Sequence, residues 1–337
     1  MTGQEPLVSG AIPGTAPLSA TGPLLSLVIA VQGAQANLAE TLAVLPPDPG
    51  GTVEVLICHA SDDPVAAGLP ARPDLRWIEG RAGALIPELW RDGILTARGE
   101  WVATLTLHCP PCGNWLACAL KLIRTEASHR LAGFGGTILC DPKADRTTRA
   151  IQLLRYADAG ADPGMSRRVV ADISADNALY RRAAVLACAD LLPDGFWEPN
   201  YHRRFEEAGL ILEQVPDLVV AHRNRYGVRD FARQRRRHGR VFGRHRGEAA
   251  TPGWRALMVA ASPAAVVIFA AKQTRKILSR RDLRAGFPSA APLFYLFMLN
   301  WCIGEAVGYV DAIRSRSGSR SGGQSGGQSG GQSGANR

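Results

Sequence analysis

Leu24–Val31, LLSLVIAV, is a continuous apolar run with β-branched residues at its centre. This pattern predicts a strand buried on both faces, as in a parallel sheet. NLAETLAVL, from Asn37 to Leu45, has helical spacing and stops at Pro46-Pro47. Val53–Cys58 and Leu75–Gly80 predict the next two strands. Ala84–Ala97 predicts a helix closed by Arg98-Gly99, and Trp101–Leu107 a fourth strand. Strand-like and helix-like segments alternate to about residue 220. Such alternation argues for an α/β fold, a mostly parallel sheet with helices on both faces.

Beyond it the pattern changes. Residues 222–246 carry ten arginines and no lysine. Two apolar stretches follow, Ala256–Ala271 and Pro292–Val310, joined by the basic KQTRKILSRRDLR. A span needs about 20 apolar residues. The first stretch is short and holds Pro263; the second is interrupted by Asn300 and Glu305. With basic residues on every side, the pattern favours re-entrant or interfacial attachment over two crossings. The chain therefore reads as a loose tail (1–23), a main domain (24–246), membrane-associated helices (247–313) and a Gly/Ser/Gln tail (314–337). The opening residues lack the basic-then-apolar order of a secretory signal.

Composition adds a few constraints. The chain has 337 residues, 46% of them hydrophobic, and a net charge of +9. That permits one large domain with an appendage and an anionic partner. Seven cysteines, mostly among apolar neighbours, read as reduced thiols. His108-Cys109-Pro110-Pro111-Cys112 invites a zinc or redox reading. Zinc needs four ligands, however, and there is no second pair at suitable spacing, so small thiols on a loop are the better reading. The arginine run could face nucleic acid, but it carries no nucleic-acid motif and an apolar segment follows at once, which disfavours that partner.

Six stretches in order resemble a family 2 glycosyltransferase with the GT-A fold, over residues 24–246. LLSLVIAV is similar to the family's first strand. EVLICHASDD, from Glu54, resembles the second strand and its acidic turn. WRDGILTARGEWVATL resembles the helix, turn and strand that deliver metal-binding acids. DISADNALYRRAAV, from Asp172, resembles the donor-sugar loop. GFWEPNYHRRFEEAGL, from Gly195, resembles the segment that holds the catalytic base. DFARQRRRHGR, from Asp230, resembles the basic segment before a membrane-associated tail.

The resemblance implies sugar transfer from a nucleotide-sugar donor to a lipid-linked or saccharide acceptor, with inversion, at the cytoplasmic face of a membrane. It makes Glu198 the base, places His59, Asp62 and Asp63 on the nucleotide side, and puts Asp176, Asn177 and Arg181 in the donor-sugar loop. Mg²⁺ or Mn²⁺ would sit on an Asp-x-Asp at the strand end. Here Thr106 and Leu107 stand where related proteins carry acids, and His59 replaces an expected Asp. His108 and His222 are the remaining metal candidates. Arg235, Arg236 and Arg237 are candidates for a phosphate or a lipid headgroup. Two readings stay open: a transferase that neutralises the diphosphate differently, or a degenerate relative that binds or scaffolds at the membrane.

Overall fold

The structure, a computed structural model, describes residues 22–32, 38–48, 50–63, 72–160, 166–224 and 226–321, with side chains to residue 314. The expected N-terminal tail falls outside these residues but for 22 and 23. The expected C-terminal tail falls outside them beyond Ser321, as does Arg225 of the basic run.

The apolar run forms β1 (Leu25–Val31), every residue of it buried. In chain order follow α1 (Leu38–Ala43), β2 (Val53–Ala60), β3 (Leu75–Gly80), α2 (Ile86–Thr96), β4 (Trp101–Thr106), α3 (Trp115–Thr125), β5 (Leu131–Cys140) and α4 (Arg146–Arg155). Next come β6 (Arg168–Val170), β7 (Asn177–Arg181), α5 (Arg182–Leu186), α6 (Glu198–Glu207) and β8 (Ile211–His222). The eight strands form one sheet in the order β3-β2-β1-β4-β7-β5-β8-β6. All run parallel except β7 and β6. The mixed, mostly parallel α/β sheet expected from the sequence is therefore present, with apolar cores on both faces. Gly93 of α2 lets that helix lie directly on β1 and β2, since a Cβ there would come within 2.2 Å of Val28 Cγ1.

Strand direction decides where chemistry collects. Because β1, β2, β4, β5 and β8 point the same way, Val31, His59, Thr106, Cys140 and His222 end at one edge of the sheet. Antiparallel β7 starts at that edge, with Asn177 beside Leu105, and ends at the other, with Arg181 beside Trp101. Ligands gather at such carboxyl edges in open α/β sheets.

The basic run becomes α7 (Val228–Glu248), followed by α8 (Pro252–Ser279), α9 (Arg281–Arg284) and α10 (Phe287–Ser321). α7 and α10 meet along glycines. A Cβ on Gly243 would lie 2.2 Å from the Glu305 carbonyl oxygen, and one on Gly308 would lie 2.2 Å from that of Arg240. Gly239 and Gly304 are just as close to the facing backbone, and a Cβ on Gly247 would lie 2.7 Å from the Ala312 Cβ. Small residues every fourth position let two backbones touch. Buried Arg255 of α8 donates to the carbonyls of Glu248 and Ala250 and so caps the end of α7. Phe231, Phe294, Phe297 and Ile151 form a third core that fixes these helices to α4.

α8 and the Phe287–Arg314 part of α10 are long and apolar enough to cross a membrane, by length and composition. They differ in burial: 33% of the apolar window in α10 is covered by protein, against 6% of that in α8.

Candidate active site

A cavity of about 260 Å³ opens at the carboxyl edge of the sheet. Its floor is Thr106 and His108 after β4. Its walls come from Trp90 of α2, Arg155 of α4, Asp176 before β7, Trp197 and Glu198 at the start of α6, and Arg235 and His238 of α7, with Trp301 of α10 above. A second cavity, of about 580 Å³, adjoins it and shares Arg155, Ser174, Glu198 and Pro199.

Glu198 stands between the two spaces. Gly195, at φ 100°, turns the chain against the start of α2, and the Phe196 amide then donates to the Pro87 carbonyl at 2.7 Å. A Cβ at Gly195 would crowd the Pro87 backbone at 3.1 Å, so the turn needs glycine for both conformation and space. Burial raises the Glu198 carboxyl to about 7, with Asp176 and Asp172 adding and Arg155 opposing. A carboxylate held there is half-protonated near neutrality, which suits proton transfer. One turn on, buried His202 bridges the Tyr180 hydroxyl and the Asp172 carboxylate, each at 3.0 Å, and fixes α6 to the sheet.

The missing strand-end acid is supplied from elsewhere. Thr106 donates its hydroxyl to Asp176 Oδ1 at 2.8 Å, and Arg155 Nη2 donates to Oδ2 at 2.6 Å. Asp176 is 1% exposed. Burial works against the charge on Arg155, but Asp176, together with smaller contributions from Tyr156, Cys109 and Glu198, outweighs it and holds the guanidinium above its ordinary pKa. A permanent cation thus stands in the cleft. Arg235 lies over the Trp301 ring at 4.2 Å, and its Nε has no hydrogen-bond partner among the described residues. Burial, and then the charge of Arg155, lowers Arg235 to about 9, so it stays protonated at neutral pH.

No protein-family model matches the chain, and no curated protein matches it. Solved structures do. One is a mannosyltransferase from Pyrobaculum calidifontis in complex with GDP-Man and Mn²⁺, at 15% identity and TM-score 0.44 over 88% of this chain and 76% of that one. Another is a mycobacterial protein, at 16% identity and TM-score 0.40 over 65% of this chain and 73% of that one.

Most of the residues picked out from the sequence lie near this edge, but not together. Glu198, Asp176, His108 and Arg235 line the 260 Å³ cavity together. His222 lies just behind it, its ring 5.1 Å from Tyr156. The 108–112 loop is stitched along β8: Cys112 N donates to the Val219 carbonyl and Ala221 N to that of Pro110, each at 3.0 Å, and just past the strand Arg223 N donates to the His108 carbonyl at 2.7 Å. Burial and Arg155 push His108 down to about 4, and the same two causes with His108 push His222 to about 3, so both rings are neutral. The described residues do not fit the implied divalent ion. No group of three His, Cys, Asp or Glu among them could hold a metal, and the buried acid at the spot, Asp176, is taken by Arg155. Cys109 is buried and Cys112 partly so, as free thiols.

Asn177 sits outside the cavity. It accepts from Trp115 Nε1 at 2.9 Å and donates to the carbonyls of Thr137 and Leu218 at 3.0 and 2.8 Å, so its amide holds the core together. Arg181 is at the opposite edge of the sheet, over the Trp101 ring at 4.6 Å, because β7 runs antiparallel and carries it away. His59 does not meet His108. β1 lies between β2 and β4, a separation of about 10 Å, and His59 packs on Trp77 instead. Asp62 accepts from the Gly83 amide at 2.6 Å, while Arg237 donates to the Gly83 carbonyl, tying α7 to the loop before α2. Asp63 follows in the same turn, and Arg236 is exposed.

Sequence reasoning missed Arg155, His238, Phe242 and Trp301. Arg155 carried no signal, since it looks like any basic residue at a helix end. The GRVFGRHRG and GEAVG spacings in α7 and α10 were a signal for their contact.

Proposed function

We propose that the chain is a glycosyltransferase that uses a nucleotide-sugar donor without a resident divalent metal, with Arg155 supplying the cation. The observation that carries this reading is the pairing at one cavity of Glu198, raised to about 7, with two half-buried guanidinium groups. The donor's diphosphate would lie against Arg155, and the nucleoside toward His59, Asp62 and Asp63 at the end of β2. An acceptor hydroxyl oxygen attacks the anomeric carbon and the bond from that carbon to the β-phosphate oxygen breaks. Glu198 takes the hydroxyl proton, and the nucleoside diphosphate leaves with the electron pair. Attack opposite the leaving group inverts the anomeric centre.

Charge appears on the β-phosphate as the bond breaks. A preorganised guanidinium in a half-enclosed cleft stabilises it with little reorganisation, and such groups contribute several kcal/mol in comparable roles. Asp176 orients Arg155 through a short ion pair and leaves its other nitrogens for phosphate oxygens. Neutral His108 can donate one further hydrogen bond.

Membrane association completes the proposal. Exposed apolar residues of α8 and the arginines of α7 suit the anionic surface of the cytoplasmic leaflet. The test is sugar transfer from radiolabelled UDP- and GDP-sugars to membrane extracts, with Glu198→Gln beside wild type. Transfer that survives in Glu198→Gln would remove the base. Nucleotide binding without transfer in wild type would leave a binding module.

A further inference from the structure

A third cavity, of about 270 Å³, shares no lining residue with the two that meet at Glu198. It is enclosed by the end of β5 and the loop after it, by α4, and by α9 with the turn into α10. Pro142, Leu153, Leu283 and Ala285 give it an apolar side, and Cys140 adds a free thiol. The rest of its lining is Asp141, Arg149, Gln152, Asp282 and Gly286.

Three of these groups have bonding capacity to spare. Gln152 is 6% exposed; its Nε2 donates to the Ile138 carbonyl at 2.9 Å, and its Oε1 has no partner among the described residues. A buried acceptor left open calls for a donor. Arg149 spends Nε and Nη2 on the carbonyls of Ala144 and Pro142, at 3.1 and 3.2 Å. It makes no ion pair among the described residues, although two carboxylates line the same cavity. One of these, Asp282, is taken at both oxygens by Arg280. The other, Asp141, accepts only the Lys143 amide, at 2.8 Å on Oδ1, among the described residues. Gly286 faces the remaining Arg149 nitrogen without a side chain, since a Cβ there would stand 3.3 Å from Nη1. A guanidinium without a counter-ion is a receptor for a carboxylate. An open carboxylate beside an amide oxygen is a receptor for an ammonium.

We infer that this cavity binds a free amino acid with an apolar side chain, its carboxylate on Arg149, its ammonium between Gln152 Oε1 and Asp141, and its side chain against Leu153 and Leu283. The inference stands apart from the transferase reading and needs none of its residues. Its consequence is structural. Leu153 belongs to the core that fixes the C-terminal helices to α4, and the ligand would bridge α4 to α9 beside that core. Occupancy therefore raises the stability of this junction by mass action.

The test is calorimetric titration of the full chain in phosphatidylcholine nanodiscs, with empty nanodiscs subtracted. The probes are L-valine, L-leucine and L-phenylalanine, with 4-methylpentanoate and L-leucinamide, which lack the ammonium and the carboxylate of leucine respectively. Leucine should bind at least about tenfold more tightly than either analogue, as the loss of one charge-assisted contact gives. Arg149→Met should weaken leucine by about tenfold or more and leave leucinamide unchanged. Gln152→Leu should remove the advantage of leucine over 4-methylpentanoate. Asp141→Asn changes an exposed residue, so it folds even if Gln152→Leu does not, and it should weaken leucine but not 4-methylpentanoate. No heat from any of the three amino acids at about 10 mM, a concentration that detects millimolar affinity, overturns the proposal. So does equal affinity for leucine and its two analogues, or leucine binding that is unchanged in both Arg149→Met and Asp141→Asn.

Discussion

Replacing Glu198 by Gln should stabilise the fold at alkaline pH while abolishing transfer. The wild-type carboxyl is raised from 4.5 to about 7 by burial. Below pH 4.5 the group is protonated in both folded and unfolded chains and costs nothing. Between pH 4.5 and 7 the unfolded chain releases the proton and the folded chain keeps it, so stability falls as pH rises. Above pH 7 the penalty is constant. At 1.36 kcal/mol per pH unit it amounts to roughly 3 kcal/mol, and screening at the partly open cavity reduces it to about 2 kcal/mol. Gln keeps the shape and never ionises. At about 2–4 °C per kcal/mol, its Tm should exceed wild type by about 4–8 °C at pH 8.5 and match it near pH 4.5. Thermal unfolding followed by intrinsic fluorescence across this range reads the difference. A gap that does not change with pH, or a less stable Gln variant at pH 8.5, would refute the placement of Glu198 in a partly desolvated site.

Other outcomes follow from the same geometry. Arg155→Met strands buried Asp176 and should cost about 3–5 kcal/mol; adding Asp176→Leu should restore Tm but not nucleotide binding, which separates folding from function. Asn177→Ala breaks three core hydrogen bonds and should lower stability by about 2–3 kcal/mol with KM for the donor unchanged in the surviving protein; a selective rise in KM would return Asn177 to the donor site. Gly243→Leu drives a side chain into the Glu305 backbone and should cost about 3 kcal/mol, seen as early proteolysis of α10. Gly253→Ala, with nothing within 4 Å of its new Cβ, is the matched control.

The strands were legible because parallel strands buried on both faces are written as unbroken apolar runs, as in LLSLVIAV. The helices α1 and α2 were legible by spacing. What the sequence hides is pairing across distance. Asp176 could be picked from its motif, but nothing local says that Arg155, 21 residues earlier, closes on it. Direction was hidden too. Asn177 and Arg181 lie in one motif, but antiparallel β7 puts one in the core and the other at the far edge. The place of β1 between β2 and β4, which keeps His59 from His108, is likewise a tertiary fact. In α7 the arginine count drew attention from the glycines, which decide that the helix packs on α10 rather than lying free.

The central claim is that a guanidinium, not a metal, receives the donor's diphosphate. It is tested most directly by calorimetric titration of UDP and GDP into the full chain, once in EDTA and once with Mn²⁺. The account predicts that one nucleotide binds with the same affinity, within about twofold, under both conditions, and that Arg155→Met/Asp176→Leu abolishes the heat. Binding that appears only with Mn²⁺, or no binding of either nucleotide by folded protein, would contradict it.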